Sequence, residues 1–274
     1  PDRRSDPELM DSPGVPLQEV ADAYQGLQRV NRHLGNNLVI DREVSRFLIE
    51  DQPGPTVSVL DLGSGSGDIP RRIAYRLDHL GLDRSLSIAL DQDPTAVSLA
   101  SSSRGEVSVI RGDALRLPMA DRSVDLVTAV KFAHHFEGRA LTRLLSEMAR
   151  VAQHRVLVLD IRRHWLAYWG FIAWSRVFTR NRLVRFDGPL SVLRGFTAED
   201  LVETVSSISE FRWTIRRYLG FQIALIGQRL SNEEQARAAT TTPFSKTILR
   251  DLESRRSRAP GEDVPTDPVG RRDR

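Results

Sequence analysis

Residues 59 to 67 read Val59-Leu60-Asp61-Leu62-Gly63-Ser64-Gly65-Ser66-Gly67, an apolar run closed by a carboxylate and followed by three glycines at alternate positions. Glycine reaches positive φ at little steric cost and carries no Cβ, so such a loop lets a ligand lie against the backbone at the N-terminus of a following helix. Helical spacing does follow, over 67–80. Beyond it the pattern alternates: strands are expected at 86–90, 107–110, 124–130 and 155–160, with helices at 94–102 and 139–151, the latter carrying Leu141, Leu144, Leu145 and Met148 on one side. Strands this apolar are buried on both faces, as in a parallel sheet covered by helices. Thr197 with Asp200 three residues on marks the start of a further helix to Ser207. Strands at 211–218 and 221–228, joined at Leu219-Gly220, are expected to pair antiparallel.

Three glycines after a strand suit more than one nucleotide-binding design. The dinucleotide fingerprint Gly-x-Gly-x-x-Gly needs its third glycine where this chain has Asp68, a carboxylate that sits poorly beside a pyrophosphate. A phosphate loop fails as well, because no Gly-Lys-Ser/Thr follows. Two more carboxylates close the next strands. Asp91 stands where a side chain can accept both ribose hydroxyls, and Asp113, within Arg111-Gly-Asp-Ala114, can accept from an adenine amine. Either alone also reads as a turn former. Together with the glycine loop they occupy the carboxyl ends of successive strands, the edge at which open α/β sheets bind ligands.

Val59 to Gly67, Leu90-Asp-Gln-Asp-Pro94, Gly112-Asp-Ala-Leu-Arg-Leu-Pro118 and Ser123-Val-Asp-Leu-Val127 resemble the successive motifs of class I S-adenosylmethionine-dependent methyltransferases, over residues 55–160. The nearest group is the type 11 one that includes the quinone-biosynthesis enzymes. More distantly, Thr179-Arg-Asn-Arg182 and Asp187-Gly-Pro-Leu-Ser-Val192 are similar to bacterial O-methyltransferases found with polyketide-derived phenolic lipids, in secondary metabolism. The resemblance implies an α/β fold: a Rossmann-like, seven-stranded sheet, mostly parallel with an antiparallel last strand and helices on both faces. An N-terminal helical lid and a helical insertion after strand 5 complete it. It implies S-adenosylmethionine as cofactor, held by Asp61, Gly63, Ser64, Gly65, Gly67, Asp91, Gln92, Asp113, Ala114 and Val130.

Methyl transfer from a sulfonium is an in-line displacement on an activated carbon, so positioning and exclusion of water do most of the work. A phenolic acceptor, with a pKa near about 10, also benefits from a base. His134 and His135, just beyond the fourth strand, are the candidates; the alternative is that they shape the pocket or pack against the helix beginning near Gly138. Asp160 suits a structural or substrate-orienting role better than a metal site, since no second carboxylate or Asn stands beside it. The chain has no cysteine, which removes disulfides, zinc-thiolate sites and transfer through a cysteine adduct. The Asp/Asn-Pro-Pro-aromatic motif of amino-methylating nucleic-acid enzymes is absent where the chain reads Lys131-Phe-Ala-His-His135. What remains is oxygen, or alternatively carbon, of a small hydrophobic acceptor such as a phenolic or quinone-like ring. A non-catalytic cofactor-binding module is a second alternative.

The 274 residues carry a formal charge of only +3, and Lys131 and Lys246 are the only lysines. No basic stripe with interleaved aromatics runs along the core, so no nucleic-acid partner is expected. The reading divides the chain into a flexible tail (1–16), an N-terminal helical lid (17–54), a methyltransferase domain (55–230, with a substrate cap at 162–195) and a largely disordered C-terminal tail (231–274) with a short helix at 246–253. A cytoplasmic location is expected, because no apolar run approaches the roughly 20 residues that span a bilayer and no signal-peptide core is found. The segment after the fifth strand is apolar nearly all round and holds three of the four tryptophans. A helix of that kind must be buried or lie in lipid. Trp165, Trp169 and Ile172 are therefore expected to touch the acceptor, with Asp160 below and Tyr24 on the opposing wall. The flanking arginines suit a surface rim or an anionic headgroup layer, and an ordinary core helix, a homodimer contact and a lid touching membrane all stay open.

Overall fold

The computed structural model describes residues 3, 4, 6, 8–11, 15, 16, 18–24, 26, 35–82, 84–103 and 107–240. Seven strands form one sheet: β1 (Ser58–Leu62), β2 (Leu86–Asp91), β3 (Ser108–Arg111), β4 (Val124–Val130), β5 (Ala152–Ile161), β6 (Phe211–Tyr218) and β7 (Gln222–Arg229). Their spatial order is β3-β2-β1-β4-β5-β7-β6. The first five run parallel, and β7 lies antiparallel to both of its neighbours. The tight connection at Leu219-Gly220 is the hairpin expected from sequence, with Gly220 and Phe221 both at positive φ. This is a Rossmann-like α/β architecture, its last strand inserted between β5 and β6.

Both faces of the sheet are covered. In β4, Val127 and Ala129 join one core while Leu126 and Val130 join the other, and β5 divides in the same way between Val156, Val158 and Leu157, Leu159. That is the period of two of a strand buried on both sides. Helices α1 (Asn36–Asp51) and α2 (Asp68–Asp78) cover the second face with Phe47, Ile73 and Leu77. Helix α3 (Pro94–Ser102) links β2 to β3. Helix α4 (Gly138–Val151) covers the first face with Leu141, Leu144, Leu145 and Met148, each contributing about 1.5 to 3 kcal/mol of burial free energy. After β5 come α5 (Trp165–Phe178) and α6 (Arg182–Arg194), then α7 (Ala198–Val205) and, after β7, α8 (Asn232–Thr240). The cap expected for α7 is complete: the Asp200 amide donates to Thr197 Oγ1 and the Thr197 amide to Asp200.

The ends of the chain depart from the sequence reading. Residues 18–24 of the expected N-terminal helical lid are helical, but residues 27–34 lie outside the described residues, as does the helix expected at 246–253. The stretch expected as a flexible N-terminal tail instead docks where it is described. Asp187, buried within α6, accepts from the Leu9 amide at 2.7 Å and the Met10 amide at 3.0 Å. A buried carboxylate needs donors, and an N-terminal segment with unpaired amides supplies them. At the other end Ser231 and Glu234 cap α8, so order continues past the expected boundary at 230.

Arg155 is 2% exposed beneath the end of α1, with Nε 2.6 Å from Asp51 and Nη2 2.8 Å from Glu50. Removing one partner leaves the Asp51 carboxylate buried without its cation. Arg155→Met is expected to cost about 3 to 5 kcal/mol in urea unfolding, and most of that loss should return when Asp51→Leu is added, because the pair then becomes apolar.

Candidate active site

One cavity of about 1140 Å³ opens along the carboxyl edge of the sheet. Its first end is built by the loops after β1, β2 and β3. Gly63, Gly65 and Gly67 all take positive φ, as the alternate-glycine pattern requires. At Gly65 a Cβ would also stand 2.8 Å from the Tyr24 ring, so the position is closed to other residues twice over. The Gly65 amide donates to Asp91 Oδ2 at 2.8 Å and the Asp93 amide to Asp91 Oδ1 at 3.0 Å. Asp91 is thereby fixed by the loop it serves, with its remaining lone pairs available to the cavity it lines. Asp113 lines the same end and accepts from the Leu115 amide at 2.8 Å, combining the turn-forming and ligand-facing readings.

Gly63, Ser64, Gly65, Gln92, Ala114, Val130 and Tyr24 line the cavity too; Gly67 and Asp61 do not. Asp61 lies behind the loop, fully buried, accepting from Thr128 Oγ1 at 2.6 Å. Burial lifts its pKa to about 7 against the Thr128 hydrogen bond, and the charge of Asp91 adds to the rise. Asp61 is thus a support under the loop rather than a wall of the site. Asp68, Asp91, Asp93 and Asp113 give this end four carboxylates, while among the described residues the only lysine and arginine lining the cavity are Lys131 and Arg194. Such an end repels a polyphosphate and suits a cation.

The second end lies under α5 and α6, walled by Phe132, Phe136, Phe171, Trp174, Leu183 and Val192. His134 and His135 stand at its floor in a short 3-10 turn, their rings 4.4 Å apart. Asp160, which the sequence placed in contact with substrate, is sealed behind them. It accepts from the His134 amide at 3.0 Å, from His134 Nδ1 at 2.8 Å and from the Ile161 amide at 2.7 Å. Burial opposes ionisation of Asp160, but the His134 charge outweighs it and the carboxyl stays below its usual range. Glu8 closes the other side, its Oε1 3.6 Å from His134 Nε2, with Ser191 Oγ donating to it at 2.8 Å. Burial works against a charge on His134, yet the two carboxylates prevail and raise its pKa to about 9. His135, desolvated and beside that imidazolium, drops to about 4. The two carboxylates thus favour the cationic form of His134, which disfavours it as a base.

Sequence reasoning missed Lys131. It lines the cavity in a left-handed backbone conformation, φ 56°, a strained state for a side chain of this size. Burial lowers its ammonium to about 8, with Asp160 pulling the other way. Its rarity was the available signal, as one of two lysines in an arginine-rich chain, standing at the end of a strand that feeds the site. Glu8 left no such signal. Trp165, Trp169 and Ile172, expected at the acceptor, do not line the cavity; Leu166, Phe171 and Trp174 of the same helix do. A helix apolar on every side gives no moment from which to read its inner face.

Residues 59–155 match the methyltransferase-domain family model. Demethylmenaquinone methyltransferase of Thermotoga maritima is 28% identical over 147 residues, which cover 53% of this chain and 59% of that protein. The chain thus spans less than two thirds of the length of this curated relative. Among solved structures, the plantazolicin methyltransferase BpumL in complex with a pentazolic desmethylplantazolicin analogue and S-adenosylhomocysteine superposes with a TM-score of 0.58 at 12% identity, over 78% of this chain and 93% of that one. The likeness is one of fold. Strand order, the glycine loop and the carboxylates after β2 and β3 are similar to those of class I methyltransferases, and the methyltransferase-domain match spans the part of the chain that carries the loop and both carboxylates.

The Glu8–His134 contact predicts a pH window. His134 holds its proton more tightly folded than unfolded, so its contribution is complete below its ordinary 6.5 and fades as pH rises through about 9. Glu8 is depressed from 4.5 to about 2, so its contribution is complete above 4.5 and fades as pH falls through about 2. The stability advantage of the native chain over Glu8→Gln should be greatest between pH 4.5 and 6.5 and decline towards pH 9, read from denaturant midpoints. An advantage independent of pH over that range would show that the two groups are not in contact.

Proposed function

We propose that the protein transfers the methyl group of S-adenosylmethionine to oxygen on a small hydrophobic acceptor, a phenolic or quinone-like ring. One observation carries the reading: a single cavity joins a carboxylate-rich nucleoside end to an aromatic-walled end under α5 and α6. The carboxylates fit a cofactor that is cationic at sulfur and has a ribose diol and an adenine amine but no phosphate. When bound there, it supplies an activated methyl carbon. Asp91 would take the ribose hydroxyls and Asp113 the adenine amine, while Phe132 and Phe136 bound the passage to the second end.

The residues at the second end divide the remaining tasks by protonation state. His134, a cation held between Asp160 and Glu8, fixes the floor of the site and takes no proton. Lys131 is the group matched to an acceptor hydroxyl, because an amine near pKa 8 is released from its proton within reach of neutral pH. His135, neutral and partly exposed, lines the route by which the acceptor ring enters. The Thermotoga maritima relative, a demethylmenaquinone methyltransferase by name, supports a ring-shaped acceptor.

Titration calorimetry with S-adenosylhomocysteine tests the first half. Asp91→Ala should weaken binding by about a hundredfold, since it removes both the diol acceptor and the brace on the Gly65 amide. Gly65→Val should abolish binding, because the new side chain meets Tyr24 in a backbone state it disfavours. Heat with NAD and none with the methyl donor would replace this reading by a dehydrogenase. Labelled methyl transfer to a panel of phenols and quinones tests the second half. The rate should climb as pH rises through about 8, where Lys131 loses its proton, and Lys131→Met should lose both rate and that limb while cofactor affinity holds. Tight cofactor binding with no transfer to any acceptor would favour a non-catalytic module.

A further inference from the structure

The inner face of α5 lines the cavity, but its outer face meets nothing among the described residues that hides it. Residues 165, 169, 173, 176 and 177 are all exposed and recur at helical spacing on one side. Trp165 is 58% exposed, Trp169 61%, Val177 74% and Phe178 66%. A contiguous surface of this kind on a water-soluble fold marks a docking site. Its charge is one-sided as well. The segment 162–194 has seven arginines against one acidic residue, the buried Asp187; Arg163, Arg182 and Arg194 are paired with Asp200, Glu19 and Glu8, while no ion pair is found for Arg176 or Arg180 among the described residues. Arg176 and Arg180 stand exposed at the C-terminal end of the apolar face.

We propose that the outer face of α5 docks on an anionic lipid bilayer, lying in the plane of the interface with Trp165 and Trp169 at the headgroup–acyl boundary and Arg176 and Arg180 against lipid phosphates. None of the described helices is long and apolar enough to cross a membrane, so the contact is one of lying on the surface. Exposed tryptophans towards one end of the face and arginines towards the other are the two elements such contacts combine. A second copy of the chain is the rival occupant. In a two-fold contact the same patch meets itself, so the arginines of both copies enter an interface to which the segment itself brings no exposed acid. Phosphate headgroups remove that conflict. The inference concerns a surface outside the cavity, and its test needs neither methyl donor nor acceptor.

The experiment is flotation of the full chain with vesicles of phosphatidylcholine alone or mixed with phosphatidylglycerol, with tryptophan emission read in parallel. Trp213 is buried, so a shift of emission to shorter wavelength on vesicle addition reports α5. Binding should be at least about tenfold tighter on the anionic vesicles and weaken with added salt. Trp165→Ser with Trp169→Ser should abolish flotation and the emission shift, and Arg176→Glu with Arg180→Glu should remove the preference for anionic lipid. Both variants should keep unchanged affinity for S-adenosylhomocysteine, which shows that the fold has survived. No flotation of the native chain, equal affinity for the two vesicle types, or a stable dimer that is dispersed by the tryptophan variant and stays off vesicles would each overturn the proposal.

Discussion

Asp160 is a charge taken out of water at the end of β5, and the half of the site under α5 and α6 is organised around keeping it paired. Three donors reach it: two backbone amides and His134 Nδ1. A histidine that satisfies a buried carboxylate in this way is driven to its charged form, and a buried imidazolium needs an anion on its other side. Glu8 is that anion. Glu8 in turn requires the chain around it to leave solvent, which Ser191, Arg194 and the two amides on Asp187 accomplish. Arg194 further ties the turn itself, donating to the His134 and His135 carbonyls and to that of Asp6. One buried carboxylate thus fixes a 3-10 turn, the last turn of α6 and the N-terminal segment against one another.

The end built by the loops after β1, β2 and β3 obeys a different economy of charge. Asp61 and Asp91 stand close enough to influence each other, and the one without solvent yields: Asp61 is pushed towards neutrality while Asp91 is free to serve as acceptor. The loop between them is braced by Asp91 rather than by Asp61, so the geometry of the glycines and the chemistry of the ligand depend on the same side chain. This explains why two aspartates thirty residues apart in sequence carry such different duties at adjoining strand ends.

The sheet was legible because its signals are local. A strand buried on both faces shows as an apolar run, alternate glycines show as a turn, and Asp91 and Asp113 could be placed by counting from strand ends. The acceptor end was illegible for the opposite reason. Glu8 reaches His134 only once the N-terminal segment has crossed α6, and nothing near Glu8 in sequence announces the crossing. The protonation states of His134 and His135 are products of burial and neighbours; the doublet in sequence shows two equivalent imidazoles where the fold makes one cation and one neutral ring.

Helix α5 is where the two levels of reading disagree most, and the disagreement has a mechanical cause. A Cβ at Gly188 would stand 2.0 Å from the Phe171 ring, so α6 presents a notch into which that ring fits. With Phe171 seated, Trp174 and Leu166 fall on the cavity side and Trp165 and Trp169 are turned outward, since a helix of fixed period has no independent choice for each side chain. Rotating α5 to hide Trp169 would pull Phe171 from its notch and open the aromatic wall. Burying one apolar stripe therefore forces the exposure of another, and a sequence apolar on all sides is the only kind that can serve both a greasy cavity within and an apolar surface without.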